Sequence, residues 1–374
     1  MKAFLVTAVL ASVACSQFQK LGTDLERGHE GYDAQRNRTA MNDAHRHLQK
    51  GNYLEASASL NSYQGEVVDP KVYVMRAQAA LGMGKIEEAE GHLTAATTLA
   101  PKSAPIALLR ASVTEARGLW AAAAEQFEQA FLLDPKSRAA LDGECRCLVA
   151  AGKPDEALFF LQSEADQFGN SAEYWRTAAN IAFAAKEFGF CAEYSARALA
   201  LGTKDEALVE QRLFSLCLSG DFATAVKEGA RLPLGRLTPE VQITLGRAAM
   251  LVNQPSFATD AFQEFLASNP TDASAWLDLA RAQFLAGRIE RARQSAESVL
   301  ALEPTNFQAH ALRGHALTRL GFFEAAEAAY RQSRYHGAGP EETASWLACL
   351  EERRGQEGLI PVPASAAQEG GSGN

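Results

Sequence analysis

Gly287-Arg288-Ile289-Glu290-Arg291-Ala292 places a turn residue five positions before a small one, and that spacing returns along nearly the whole chain. Turn positions fall at Gly51, Gly84, Gly118, Gly152, Lys186, Gly220, Asn253, Gly287 and Gly321. Five residues after each lie Ala56, Ala89, Ala123, Ala157, Cys191, Ala225, Ala258, Ala292 and Ala326, so every step is 33 or 34 residues. A unit this short cannot enclose a core alone and must bury its apolar face on its neighbours. Glycine ends a helix in the left-handed region at no steric cost, and asparagine visits that region readily, so each unit reads as two helices joined by a tight turn. Pro154 and Pro255 support this register, because the first turn of a helix tolerates a residue without an N–H.

The repeat resembles the tetratricopeptide repeat family. Trp276, Leu279, Ala292 and Pro304 stand at that family's Trp, Leu, Ala and Pro positions, and Gly314, Ala326 and Tyr330 match its Gly, Ala and aromatic positions one repeat later. Pro101, Pro135, Pro270 and Pro304 close four repeats in the same register. The resemblance implies an all-α fold, a right-handed α-solenoid of about nine helix pairs over residues 37–340 with a capping helix over 341–354. Tyr53, Ile86, Trp120, Phe188, Phe222, Ile289 and Phe323, two places after the turns, are expected to plug the gaps between pairs. Lys186 and Cys191 make residues 172–205 the least typical repeat and the place to expect an irregularity.

A chain of 374 residues would ordinarily suggest two or three domains, but a solenoid overrides that prior, because each repeat contacts mainly its neighbours. With 47% apolar and 22% charged residues the composition is that of a soluble globular chain. A net charge of −9 argues against general affinity for nucleic acid or anionic membrane and favours a protein partner.

Residues 1–14 combine one lysine with a short apolar run ending in small residues, the layout of a signal peptide, and too short to span a bilayer. Ser12-Val13-Ala14-Cys15 resembles a bacterial lipoprotein box, although Ser12 departs from the box's usual aliphatic residue. The resemblance implies lipidation at Cys15, with Ser16 directing the chain to the periplasmic face of the outer membrane; the alternative is ordinary cleavage after Ala14 to a soluble periplasmic or secreted protein. Residues 15–36 then form the lipidated cysteine and a polar tether, and residues 355–374, rich in Gly, Ser, Pro and Ala, a disordered tail.

Cys145 and Cys191 fall at small-residue packing positions, and Cys145 and Cys147, two apart on a helix, point to different sides and make a poor metal pair. Packing is the expected role of the remaining cysteines, with a disulfide involving Cys217 left open. There is no His-Glu-x-x-His or Gly-x-Ser-x-Gly, and Gly82-Met83-Gly84-Lys85 lacks the Ser or Thr and the strand of a phosphate loop. Repeats and tails consume the chain, so we expect no catalytic residues, metal or cofactor.

In the tetratricopeptide family the first helix of each pair lines a groove, through its fifth, ninth, twelfth and thirteenth places. Those places supply the candidate partner-binding residues Arg146, Arg176, Asn180, Ile243, Arg247, Met250, Leu277, Arg281, Phe284 and His315, with Leu251 and Leu285 beside them. The arginines over an apolar floor suit a partner's helix or extended segment bearing a carboxylate. Arg176 and Asn180 match part of a known carboxylate clamp, but Gln211, Glu240 and Thr244 stand where it needs Asn, Lys and Arg. The layout of signal, cysteine and repeats resembles the tight-adherence pilus lipoproteins and type IV pilotins. It implies a scaffold that assists a pilus or secretion complex, with an outer-membrane secretin or pilus component as partner. The alternatives are a periplasmic adaptor recruiting substrates to proteases or cell-wall enzymes, and a self-associating scaffold.

Overall fold

A computed structural model describes residues 32–63 and 69–357. The proposed signal peptide, Cys15, most of the tether and the tail beyond Glu357 lie outside the described residues. Those residues form twenty α-helices and one short 3-10 helix, with no strand among them. They fall into two compact units, divided after Thr203.

Unit 1 holds α1 (Tyr32–Gln49), α2 (Tyr53–Asn61), α3 (Pro70–Gly82), α4 (Ile86–Leu99), α5 (Ala104–Ala116), α6 (Trp120–Leu133), α7 (Arg138–Ala150), α8 (Pro154–Ser163), α9 (Ala165–Phe168), α10 (Ala172–Ala184) and α11 (Phe188–Ala200). Unit 2 holds α12 (Glu206–Leu218), α13 (Phe222–Gly229), a 3-10 turn (Leu234–Arg236), α14 (Pro239–Leu251), α15 (Pro255–Ser268), α16 (Ala273–Leu285), α17 (Ile289–Leu302), α18 (Phe307–Arg319), α19 (Phe323–Tyr335) and α20 (Pro340–Glu357). Helices pair in order, five pairs in unit 1 and four in unit 2, and within unit 2 the first helices of successive pairs touch.

The turns are what the repeat spacing requires. All nine predicted turn residues have positive φ, including the two non-glycines, Lys186 at 62° and Asn253 at 56°. Each of the nine small residues five places on is fully buried at the helix crossing. First helices begin on a different device: the side chains of Asp69, Ser137, Ser171, Asp205, Asp272 and Asn306 accept hydrogen bonds from backbone N–H groups one turn in. Close approach within pairs depends on position eight of the first helix, where Gly246 faces the ring of Phe262 and Gly314 that of Tyr330. Both rings are buried.

Several boundaries differ from expectation. α1 starts at Tyr32 rather than near residue 37, and the cap runs from Pro340 to Glu357, longer at both ends than 341–354. Its Leu350, with half-buried Trp346 and Leu347, covers Ala326 and Tyr330 of the last pair. Burying a leucine in this way contributes about 1.5–3 kcal/mol. The pair at residues 172–200 is regular; the irregularities flank it. The short α9 is inserted before it, and after it α13 is cut to eight residues and followed by the 3-10 turn. Of the residues two places after the turns, Tyr53 lies against Gly82 of the next pair, and Ile86 and Phe323 pack against the core, as plugs should. As the first residues of second helices the members of this set stay half-buried, except that Trp120 is exposed.

Candidate functional site

Unit 2 brings the predicted arginines together. Arg247 on α14 and Arg281 on α16 occupy the ninth place of consecutive first helices, and both side chains are about half exposed. Between them stands Asp278. Arg247 Nε donates to Asp278 Oδ2 at 2.9 Å, and Arg281 Nη1 lies 3.7 Å from Oδ1. Arg247 Nη2 also reaches Ser274 Oγ at 3.4 Å, and Arg281 Nη2 donates to Gln308 Oε1 at 3.1 Å. The chain thus supplies the first carboxylate of this site itself. Two guanidiniums and one carboxylate leave a local charge of +1, and the ten N–H donors of two guanidiniums exceed what one carboxylate, one amide and one hydroxyl accept.

Along the same helices the thirteenth place holds Leu218, Leu251 and Leu285, which remain 46%, 68% and 61% exposed. In unit 1 the equivalent place, the last residue of α3, α5, α7 and α10, holds Gly82, Ala116, Ala150 and Ala184. An exposed leucine ladder is therefore special to unit 2. Met250, Ile243 and Phe284 are half-buried, and Arg319 lies 5.9 Å above the Phe284 ring. Leu277 does not contribute: it is buried with Ala280, Ala296 and Leu312 in the core of this pair. In this pair the fifth place belongs to the core, whereas Ile243 at the same place of α14 is half-buried and Arg176 of α10 is exposed.

His315 on α18 is built into the capped end. Its Nδ1 lies 3.0 Å from Tyr330 Oη, and its ring meets Trp346 edge-on at 5.2 Å. Burial pushes its pKa below the ordinary histidine value, so it is neutral at pH 7. His315, Trp346, Arg281, Gln308 and Phe307 line a cavity of about 790 Å³, with Pro340 to Glu342 of the cap at its edge.

The candidate residues of unit 1 form a separate set. Arg146 makes a two-point bond to Glu115, at 2.5 and 2.9 Å, and this pairing with a mostly buried carboxylate ties α7 to α5. Arg176 and Asn180 are exposed on α10. Cys145, Cys147, Cys191 and Cys217 are buried thiols and Cys349 is an exposed one; no disulfide joins the described cysteines, and Cys217 is bridged to none of them. Burial pushes the Cys147 and Cys217 thiols up to about 12 and about 11.

Sequence reasoning missed Asp278, Leu218 and Trp346 as parts of this face. Leu218 shares the register of Leu251 and Leu285, and Asp278 precedes Arg281 by three residues on one helix, so both signals were present.

The helix pairs, their left-handed turns and their buried alanines define a class, the antiparallel helix-repeat protein. Family models described as tetratricopeptide repeat match residues 116–181 and 249–316, and residues 74–140. These segments are tetratricopeptide repeats, units that generally act as non-enzymatic protein-interaction scaffolds and hold peptides in a groove. No curated protein matches the sequence. Among solved structures the chain is similar to a tetratricopeptide repeat protein from Parabacteroides merdae, at 13% identity over 75% of this chain and 98% of that one, with a TM-score of 0.39. It is also similar to the MamA protein, at 17% identity over 52% and 100%, TM-score 0.38. A third is YrrB, described as a tetratricopeptide repeat protein with an unusual peptide-binding site, at 14% identity over 59% and 97%, TM-score 0.33.

Proposed function

We propose that the chain is a lipid-anchored interaction scaffold at the periplasmic face of a bacterial outer membrane, helping to assemble or localise a pilus or secretion complex. Its partner offers an apolar helix or extended segment with a carboxylate. The observation that carries this reading is the conjunction, on consecutive first helices of unit 2, of a leucine ladder with two half-exposed arginines whose charge Asp278 only partly cancels. Leu218, Leu251 and Leu285 give up solvent contact on binding, and the spare guanidinium donors fix the segment's register through charge-assisted bonds. Anchoring falls to Cys15. Among the described residues no helix is long and apolar enough to cross a membrane.

The test is partner capture by wild type, by Arg247→Glu with Arg281→Glu, and by a control reversing the exposed Arg334 and Arg353. Arg354 is unsuitable as a control because it donates to Glu324. The groove reversal is expected to lose the partner with circular dichroism unchanged, since it turns attraction into repulsion worth about 2 kcal/mol or more. Equal loss in the control means that net charge governs binding, and retention in both places the partner elsewhere.

A further inference from the structure

The seventh place of the first helices varies in burial, and Arg110 of α5 is exposed there. It holds Ala178 in α10, Leu245 in α14 and Leu279 in α16, all buried. Charged residues there are matched to different degrees. Arg212 of α12 bonds both oxygens of Glu228 at 2.8 Å, whereas Arg76 Nη2 of α3 donates to Leu60 O at 3.2 Å while the Nε atoms of Arg76 and of Arg313 in α18 stay buried without a partner among the described residues. In α7 the place holds Glu144, only 8% exposed, and its Oε2 is enclosed without a hydrogen-bond partner.

The charges facing Glu144 do not compensate it. α6 presents Glu128, and the end of α8 presents Glu164, both carboxylates. α5 sends Glu115 towards α7, but that group is bound by Arg146; α10 sends Glu173, which acts on Asp142, itself paired with Arg138. On its own helix the neighbour is the buried thiol of Cys145. Among the described residues no cation acts on Glu144.

We propose that Glu144 makes the packing of α6, α7 and α8 in unit 1 proton-gated, closed around a neutral carboxylic acid and loosened when the carboxylate forms. A neutral acid can stay enclosed at modest cost; an ion there has no partner and two like charges beside it. Desolvation first, then Glu128 and Glu164, push the group up to about 7 from an ordinary 4.5. The folded state therefore keeps the proton to higher pH than the unfolded state does. The stabilisation is full below the ordinary value, drains away as pH rises towards 7, and is gone above it. The device works within the range a periplasmic or extracellular protein meets, and it is independent of the unit 2 face.

Hydrogen exchange of the full chain tests this at pH 5 and pH 8, comparing wild type with Glu144→Gln over peptides within residues 138–150. Taking the variant-to-wild-type ratio at each pH cancels the intrinsic pH dependence of exchange. The ratio is expected to move towards faster wild-type opening by roughly 50- to 100-fold between the two pH values. Glu128→Gln, at an exposed position, removes one repelling carboxylate and is expected to weaken the pH dependence of opening in α7 by a few-fold. A Glu144→Gln ratio that is the same at both pH values overturns the proposal. If that variant does not fold, an unchanged pH dependence in Glu128→Gln overturns it instead.

Discussion

Gly246→Ala puts the packing between helices of a pair to a quantitative test. A Cβ on Gly246 would lie 2.6 Å from Cε1 and 2.8 Å from Cδ1 of Phe262, whose ring is fully buried. Carbon atoms rest at about 3.5–4.0 Å, so the ring must retreat by roughly 1 Å into packed side chains. Overpacking of this kind costs about 1–3 kcal/mol, and the better helix propensity of alanine returns about 0.5–1 kcal/mol. A fully enclosed ring puts the cost at the upper end of that range, so the net loss is about 2 kcal/mol, which lowers Tm by roughly 4–8 °C in a unit of this size. Gly91→Ala and Gly189→Ala are the controls: both are exposed helical glycines with no atom near the new Cβ, and they should gain about 0.5–1 kcal/mol. Urea and thermal unfolding read all three, and Phe262→Leu should relieve the cost by shortening the opposing side chain. A neutral or stabilising Gly246→Ala would refute the claim that Phe262 sets the distance between α14 and α15.

Ala292→Asp should be destabilising by about 3 kcal/mol or more, because it buries an unpartnered carboxylate at a fully enclosed helix crossing. Glu290→Ala, three bonds from Arg293 at the surface, should barely move the melting curve; comparable shifts would show the register to be wrong. Iodoacetamide at pH 8 should label Cys349 well before Cys147 or Cys217, whose thiols burial keeps protonated, and equal labelling by mass spectrometry would contradict the buried assignment. Metabolic labelling with an alkyne fatty acid should tag wild type and not Cys15→Ala, and untagged wild type would remove the anchor from the account.

How much of this was legible depended on whether a residue's role is set by its own turn or by another repeat. Glycine and asparagine at the turns speak through local φ, so all nine turns and the alanines behind them could be placed from spacing alone. Lys186 was placed by period, against its own preference, and its φ of 62° follows because its neighbours on both sides are ordered helices. Asp278 was not read, because its meaning comes from Arg247 on a different helix 31 residues earlier. Leu277 was read as groove and is core, since the fifth place faces a neighbour whose distance no single repeat specifies. Glu144 was overlooked because the register does not decide burial at its place: that place holds buried Leu279 three helix pairs after buried Ala178, but exposed Arg110 in α5. The inserted α9 and the shortened α13 follow no period, so spacing could not announce them.

Site-specific photo-crosslinking tests the central claim most directly. A photoreactive phenylalanine at Leu251 or Leu285 of unit 2, and at the equivalent Ala116 or Ala150 of unit 1, would be illuminated in the full chain as it is expressed in its own cells. The account predicts one common partner band from Leu251 and Leu285, weakened by Arg247→Glu with Arg281→Glu and absent from Ala116 and Ala150. Crosslinks from the unit 1 positions alone, or from all four alike, would contradict it.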